Sequence, residues 1–414
     1  MPVIVQKYGG TSVGDVERIR AVAERVVAAR EGGYDVCVVV SAMDDTTDEL
    51  LEMANSLAPV PQPRELDMLL TSGERIAMSL LAIAINAKGC RAASYTGSQA
   101  GIITTTEHGK AKIVDVRPGR ILEALDAGNV VIVAGFQGVS TTLDVTTLGR
   151  GGSDTTGVAL AAALGADFCE IYTDVDGVYT TDPRAYDRAR RLDAVSYEEM
   201  LEMASSGAKV LQLRAVEYAR RHGVRVHVRS SFTGEPGTWV QEEGTEGMEQ
   251  ALISAVVLDD TEAKITLEEV PDRPGVAASI FKAVADEGIN VDMIVQNVSH
   301  SGTTDMSFTA PRADLPKLQD VLERIVKEIG AVRYVVDDGI AKVSLIGAGM
   351  KSHPGVAADM FHVLATEKVN IEMISTSSIR ISCVIRRDDA ERAVRAVHDH
   401  FELGEGSVER GAAV

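Results

Sequence analysis

Aromatic residues are scarce. Trp, Tyr and Phe make up 4% of the 414 residues, too few to build the stacking platforms that hold single-stranded nucleic acid. Basic residues are outnumbered, 41 Lys and Arg against 61 Asp and Glu, for a formal net charge of −20. A nucleic-acid or anionic membrane surface needs a basic face, so neither partner is expected. A local cluster of Lys and Arg can still oppose that overall sign. Cysteine is limited to Cys37, Cys90, Cys169 and Cys383, far apart, each in or beside an apolar stretch, with no CxxC pair and no Cys/His constellation. Structural zinc is not expected, and buried free thiols in a reducing cytoplasm are. No apolar run reaches the roughly 18 residues of a membrane span, and the N-terminus lacks the basic and apolar regions of a signal peptide. The eight histidines form no HExxH motif and read as structural or solvated, with His353, beside a Pro-Gly turn, held open for regulation. No GxxxxGK[ST] occurs, so this is not a P-loop protein.

What the chain does have is 45% apolar and 25% charged residues, enough for two or three globular domains. Residues 1–230 alternate strand-like segments (Val3–Lys7, Val36–Val40, Val130–Ala134, Cys169–Thr173, Val224–Val228) with helix-like ones. The helical segments are Asp15–Arg30, Arg75–Lys88, Arg120–Ala127, Asp154–Leu164 and Ala208–Arg221, several ending at a glycine: Gly89, Gly128, Gly165, Gly223. This is the pattern of an α/β domain, a mostly parallel sheet flanked by helices. Ligands of such sheets sit at the carboxyl ends of the strands. A polar, glycine-rich stretch over 231–248 reads as a linker. Beyond it an internal repeat appears at an offset of 80 residues: the 21 residues from Pro274 and the 21 from Pro354 share eleven identities, including Pro-Gly-Val-Ala-Ala. Each copy reads as a small βαββαβ unit, placed at 249–337 and 338–414.

The first strand ends in Lys7-Tyr8-Gly9-Gly10-Thr11-Ser12, followed by a helix with apolar positions at Val16, Ile19, Val22, Ala23, Val26 and Val27. Glycines allow close backbone approach, and helix N-terminal amides attract anions, so this reads either as a phosphate cradle with a lysine beside it or as a tight turn with a solvated lysine. Four more segments carry polar groups after strands or before helices. They are Ser41 with Thr46-Thr47; Thr71-Ser72-Gly73-Glu74, placed just before a helix; Gly149-Arg150-Gly151-Gly152-Ser153-Asp154; and Tyr172-Thr173-Asp174 through Tyr179 to Pro183-Arg184.

KYGGTS, SGE, GRGGSD and YTDVDGVYTTDPR, in that order, closely resemble the aspartokinases of the amino-acid kinase superfamily. The C-terminal repeat resembles their paired ACT modules, and the likeness spans essentially the whole chain. The resemblance implies the amino-acid kinase fold and transfer of the γ-phosphoryl of ATP, with Mg2+ arriving on the nucleotide, to the β-carboxylate of L-aspartate. The product is 4-phospho-L-aspartate, at the head of lysine, threonine and methionine biosynthesis. It implies that Lys7 stabilises the transferring phosphoryl and Asp154 orients Lys7, though Asp154 could also be only a helix cap. ATP falls to Lys7, Tyr8, Gly9, Gly10, Ser41, Thr173, Asp174, Tyr179, Arg184, Lys209 and Val210. Aspartate falls to Thr47, Glu74 (its ammonium), Arg150 (a carboxylate) and Gly151. The chemistry suits such a role set: an ionised carboxylate needs no general base, only positioning and charge neutralisation. Asp174-Val175-Asp176-Gly177 lacks full EF-hand spacing, so calcium is not expected.

For the repeat, the resemblance implies end-product amino acids, lysine, threonine or both, bound at Asp272, Arg273, Pro274, Gly275, Val276, Ala277, Asn290, Val291, Asp292, Gln296 and Asn297. In the second copy the positions are Ser352, His353, Val356, Ala357, Asn370, Ile371, Ser375 and Thr376. Asp292 and Gln296 are placed on the strand after the helix, taking the effector's ammonium and side chain. The resemblance also implies a homodimer, or an α2β2 assembly with a short subunit started at Met248. Two other readings remain at this stage: an amino-acid kinase acting on a glutamate derivative or carbamate, and a non-catalytic amino-acid sensor.

Overall fold

A computed structural model describes residues 1–242, 252–297, 302–348, 350, 353 and 355–404. The chain divides into two compact units. The first comprises Met1–Val178, Arg191–Ala204 and Lys209–Glu246; the second comprises Tyr179–Arg190, Ser205–Ala208 and the residues from 247 onward.

In the first unit the strands are β1 (Val3–Tyr8), β2 (Asp35–Val40), β3 (Ala92–Tyr95), β4 (Ile102–Thr104), β5 (Ile113–Val116), β6 (Val130–Ala134), β7 (Gln137–Ser140), β8 (Val145–Thr147), β9 (Phe168–Thr173), β10 (Ala194–Ser196), β11 (Val226–Ser230) and β12 (Thr238–Gln241). The helices are α1 (Val16–Glu31), α2 (Thr46–Leu57), α3 (Pro63–Ala87), α4 (Gly119–Asp126), α5 (Gly152–Leu164), α6 (Tyr197–Ser205) and α7 (Leu213–His222). Eight strands form one sheet in the order β10-β12-β11-β9-β1-β2-β6-β3. All its pairings are parallel except β11 with β12. The central strands read as apolar runs because both faces are covered: Val36–Val40 and Val130–Ala134 are fully buried or nearly so. A smaller sheet, β5-β4-β7-β8, stands beside it.

The expected strands appear, shifted by at most two residues, but three expectations change. First, α3 begins at Pro63, twelve residues before Arg75, so Thr71-Ser72-Gly73-Glu74 lies inside the helix. The Thr71 and Ser72 hydroxyls donate to the carbonyls of Met68 and Leu69, so they do not compete with the helix. A Cβ at Gly73 would sit 2.7 Å from the Ala42 Cβ, so the glycine serves close packing. By length and composition α3 could cross a membrane, yet it carries buried Asp67 and Glu74 and is packed into the fold. Second, α7 begins at Leu213; Gly207 has φ +113° and Gln212 is extended, so Ala208–Gln212 stays outside the helix. Third, the stretch expected as a linker contributes β12, which pairs with β10 and β11. Met248 lies outside the described residues.

In the second unit the strands are β13 (Leu252–Asp259), β14 (Glu262–Pro271), β15 (Ile294–Gln296), β16 (Thr303–Pro311), β17 (Arg333–Asp337), β18 (Ile340–Ala348), β19 (Met373–Thr376) and β20 (Arg380–Arg386). The helices are α8 (Val276–Asp286), α9 (Leu315–Ile329), α10 (Val356–Thr366) and α11 (Ala390–His400). Two four-stranded sheets result, β15-β16-β14-β17 and β13-β18-β20-β19. The copies are interleaved: β13 lies in the stretch expected to form the first copy, 249–337, but pairs antiparallel with β18 of the second, as β17 pairs with β14 in the first. Each sheet has its own apolar core, and Met293, Ile340, Met373 and Val384 join the two. Lys342, with no exposed surface, reaches Asp259, Glu262 and Asp292 at 3.6, 3.2 and 2.5 Å. The Tyr179–Arg190 segment is woven into this unit: the Val256 amide donates to the Thr180 carbonyl, Thr180 Oγ1 bonds His398 Nε2 at 2.9 Å, and the Tyr186 hydroxyl donates to Asp399.

Candidate active site

β1 and β2 run side by side in register, with Tyr8 opposite both Val40 and Tyr172. The ladder continues one residue past each strand: Gly9 donates to Tyr172 O, Ser41 to Tyr8 O and Gly135 to Val40 O. The carboxyl ends of β1, β2, β6 and β9 therefore form one edge, with Gly9, Ser41, Gly135 and Thr173 along it. β1 leads through α1 to β2 on one side, while β9, reached only after α5, pairs with β1 on the other; such a reversal of strand order is the switch point at which open α/β sheets bind ligands.

Lys7 ends on this edge. Its ammonium meets Asp154 Oδ1 at 2.6 Å, both side chains about nine-tenths buried. α5 supplies the carboxylate from its first turn. It can lie close to β1 because Gly157 faces the Lys7 Cβ, where an added Cβ would stand at 3.2 Å. Asp154 is not the helix cap, a position Gly151 fills in the left-handed conformation. The turn after β1 differs from the expected cradle. A 3-10 turn, Gly10–Val13, intervenes before α1, whose N-terminus is capped by Asp15. The Gly9 N–H is spent on Tyr172 O, so Gly9 offers close approach instead of a donor; its Cβ position is 3.6 Å from Lys7 Nζ.

Glu74 approaches from α3. Its Oε1 accepts the Ala42 amide at 3.1 Å, while Oε2 is buried without a hydrogen bond. Burial pushes its carboxyl up to about 7, against the pull of the Ala42 amide. Thr47 lies in the first turn of α2, half-buried, and Thr46 packs near Gly73. Arg150 is exposed in the turn between β8 and α5, flanked by Gly149 and Gly151 at φ +77° and +69°. A Cβ on Gly151 would overlap Gln212. Gly151→Ala is therefore expected to lower stability by about 1–2 kcal/mol, the cost of a left-handed non-glycine residue, read as a drop in melting temperature.

Thr173 and Asp174 close the β9 end, bonded to each other through Thr173 Oγ1. Lys209 is exposed and Val210 half-buried on the segment before α7. Tyr179 and Arg184, expected with them, belong to the second unit, where Arg184 grips Asp182 through its side chain and amide.

In the second unit, Asp272, Arg273, Pro274 and Gly275 form the turn between β14 and α8, and Val276 and Ala277 open that helix. Asn290, Val291 and Asp292 precede β15, Gln296 ends it and Asn297 follows. Asp292 is thus not on the strand, and its carboxylate already holds the Lys342 ammonium. In the second copy Val356 and Ala357 open α10 after His353; Asn370 and Ile371 precede β19, and Ser375 and Thr376 end it. Ser352 lies outside the described residues.

The sequence profile of the amino acid kinase family matches residues 2–230, and ACT domain profiles match residues 265–330 and 343–401. An aspartokinase of Mycobacterium tuberculosis is 58% identical over 408 residues, 98% of this chain and 97% of that protein. The chain belongs to the aspartokinase family. Its members are ATP-dependent kinases with an amino-acid kinase fold and, as here, C-terminal ACT domains. Among solved structures, E. coli aspartokinase III in complex with aspartate and ADP (R-state) is 28% identical, covers 96% of this chain and 99% of that one, and has a TM-score of 0.81. The same E. coli enzyme in complex with lysine and aspartate (T-state) has a TM-score of 0.74.

For an aspartokinase, sequence reasoning overlooked Asp67, buried on α3 two turns before Glu74 and bonded to His108, Gly109 and Thr147. The seven-residue spacing from Asp67 to Glu74 places both on one helix face. A helix beginning at Arg75 leaves both outside it, and only the observed start at Pro63 brings them onto one helix.

Proposed function

We propose that this chain transfers the γ-phosphoryl of ATP to the β-carboxylate of L-aspartate, giving 4-phospho-L-aspartate. The observation that carries the reading is the pairing of two features at one unit's site: a buried Lys7–Asp154 ion pair on the carboxyl edge and a buried Glu74 oxygen without a donor. An amino-acid ammonium supplies that donor. Lys7 meets the negative charge that builds on the transferring phosphoryl, and Asp154 fixes the ammonium in place. Gly9 and Gly10 let the triphosphate approach, and Ser41, Thr173 and Asp174 border it; Lys209 and Val210 complete the nucleotide contacts. Arg150 presents a planar fork to a substrate carboxylate. Mg2+ enters with the nucleotide and neutralises phosphate charge. Aspartate attacks as a carboxylate, so no residue needs to take a proton.

The ACT pair takes lysine, threonine or both as feedback effectors. The E. coli structures with ADP and aspartate and with lysine and aspartate support both halves of the reading. Assembly as a homodimer, or with a short subunit started at Met248, belongs to the same proposal, as does a cytoplasmic location, which suits four free cysteines.

The test is ADP release with aspartate, glutamate or neither, acyl phosphate being trapped with hydroxylamine. Aspartate-dependent release with trapped product is expected, and lysine and threonine, alone or together, should lower it. Equal release with and without aspartate would remove the reading.

A further inference from the structure

α3 carries two buried carboxylates on one face, Glu74 and, two turns earlier, Asp67. Asp67 is 1% exposed. A carboxylate buried that deeply is costly unless donors surround it, and two segments supply them, His108-Gly109 and the end of β8. Thr147 Oγ1 donates to Oδ1 at 2.6 Å, the Gly109 amide reaches both oxygens at 3.1 and 3.2 Å, and His108 Nδ1 lies 2.7 Å from Oδ2.

Thr147 is the last residue of β8, and Leu148 and Gly149 alone separate it from Arg150. The same short path is tied down on other sides. Leu148 N–H donates to Phe136 O, and its carbonyl accepts Arg214 Nη1 at 2.5 Å. Arg214 Nη2 donates to Ala111 O, whose own N–H donates to Thr147 O. Gly109, held by Asp67, lies against Gly149, where a Cβ would stand 3.0 Å from the Gly109 carbonyl. Gly149 and Gly151 are both left-handed, and glycines impose no local conformation of their own. The placement of Arg150 therefore comes from these anchors.

We propose that Asp67 and His108 are positioning residues: through Thr147 and Gly109 they fix the turn bearing Arg150 relative to Glu74, with α3 as the rigid spacer between the two ends of the amino-acid substrate. This rests on the reading of Arg150 as the carboxylate ligand. A looser turn weakens aspartate binding and leaves the nucleotide contacts at the β1 and β9 ends untouched.

Steady-state kinetics of the full chain test it with His108→Ala, Thr147→Val and Arg150→Ala. His108→Ala and Thr147→Val are expected to raise KM for aspartate about tenfold with KM for ATP within twofold, since losing one anchor misplaces the guanidinium without removing it. His108→Asn, which keeps a donor where Nδ1 stands, is expected to restore most of the loss. Should Thr147→Val fail to fold, half-exposed His108 decides alone. An unchanged KM for aspartate in His108→Ala, or equal rises in both KM values, overturns the proposal while Arg150→Ala still raises KM for aspartate. An unchanged KM in Arg150→Ala overturns the substrate reading and the proposal with it.

Discussion

Lys7→Met is expected to slow acyl-phosphate formation by about a hundredfold to a thousandfold, the scale of losing one preorganised group at a developing charge in a water-poor site. Phosphoryl transfer to a carboxylate brings two anions together, and a buried ammonium on the sheet edge is the group best placed to relieve that repulsion. The variant also leaves Asp154 buried without its partner, and breaking a buried pair from one side costs about 3–5 kcal/mol. A fall in activity alone could then reflect misfolding. The double variant Lys7→Met/Asp154→Asn separates the two effects. Without the orphaned charge its melting temperature returns toward that of the natural chain, and its activity does not. Single-turnover trapping with hydroxylamine reads the chemistry, and thermal melting reads the fold. Turnover within tenfold of the natural chain in Lys7→Met would remove Lys7 from the mechanism.

The sheet was legible because its strands are buried on both faces. Val36–Val40 and Val130–Ala134 are continuous apolar runs bounded by glycine or polar residues, a signal that survives without tertiary information. The glycine stops held for the same reason: Gly165 and Gly223 take the left-handed cap conformation that the sequence pattern implies. The start of α3 was not legible. Thr-Ser-Gly looks like a breaker, and only the fold shows the hydroxyls bonded backward and the glycine pressed against Ala42. Nor did local pattern show that β13 pairs with β18 some ninety residues on, because strand partners are chosen by packing at long range. The Lys7–Asp154 contact was accessible from family likeness. The engagement of the Gly9 amide by Tyr172 was not, since it depends on the register of β1 against β9. The regulatory half shows the same limit. The sequence offers Asp292 as an acceptor for an effector's ammonium, and the fold gives it one from Lys342, eighty residues from Glu262 in the repeat. An effector ammonium arriving at Asp292 must compete with that lysine.

Aspartate affinity falls about tenfold between pH 8 and pH 6, because Glu74 titrates near 7 and accepts an ammonium only when ionised. Its carboxyl is raised by burial, so the folded chain binds the proton more tightly than the unfolded one. The sign follows. Below about 4.5 both states are protonated and Glu74 costs nothing. As pH rises through the interval up to about 7 the unfolded state ionises first, and stability declines. Above 7 the full cost, about 3 kcal/mol, is present. Glu74→Gln removes that cost, because glutamine keeps an oxygen for the Ala42 amide and carries no charge. The variant should therefore melt at a higher temperature than the natural chain at pH 8 and show no such gain at pH 4. It also loses the anionic partner of the substrate ammonium, so kcat/KM for aspartate falls about a hundredfold, in line with about 2–3 kcal/mol for a charged hydrogen bond in a buried setting. The remaining activity should lack the pH 6–8 slope in KM for aspartate. A slope that persists in Glu74→Gln would place the titrating group elsewhere. A flat KM in the natural chain would mean that the substrate ammonium does not meet Glu74.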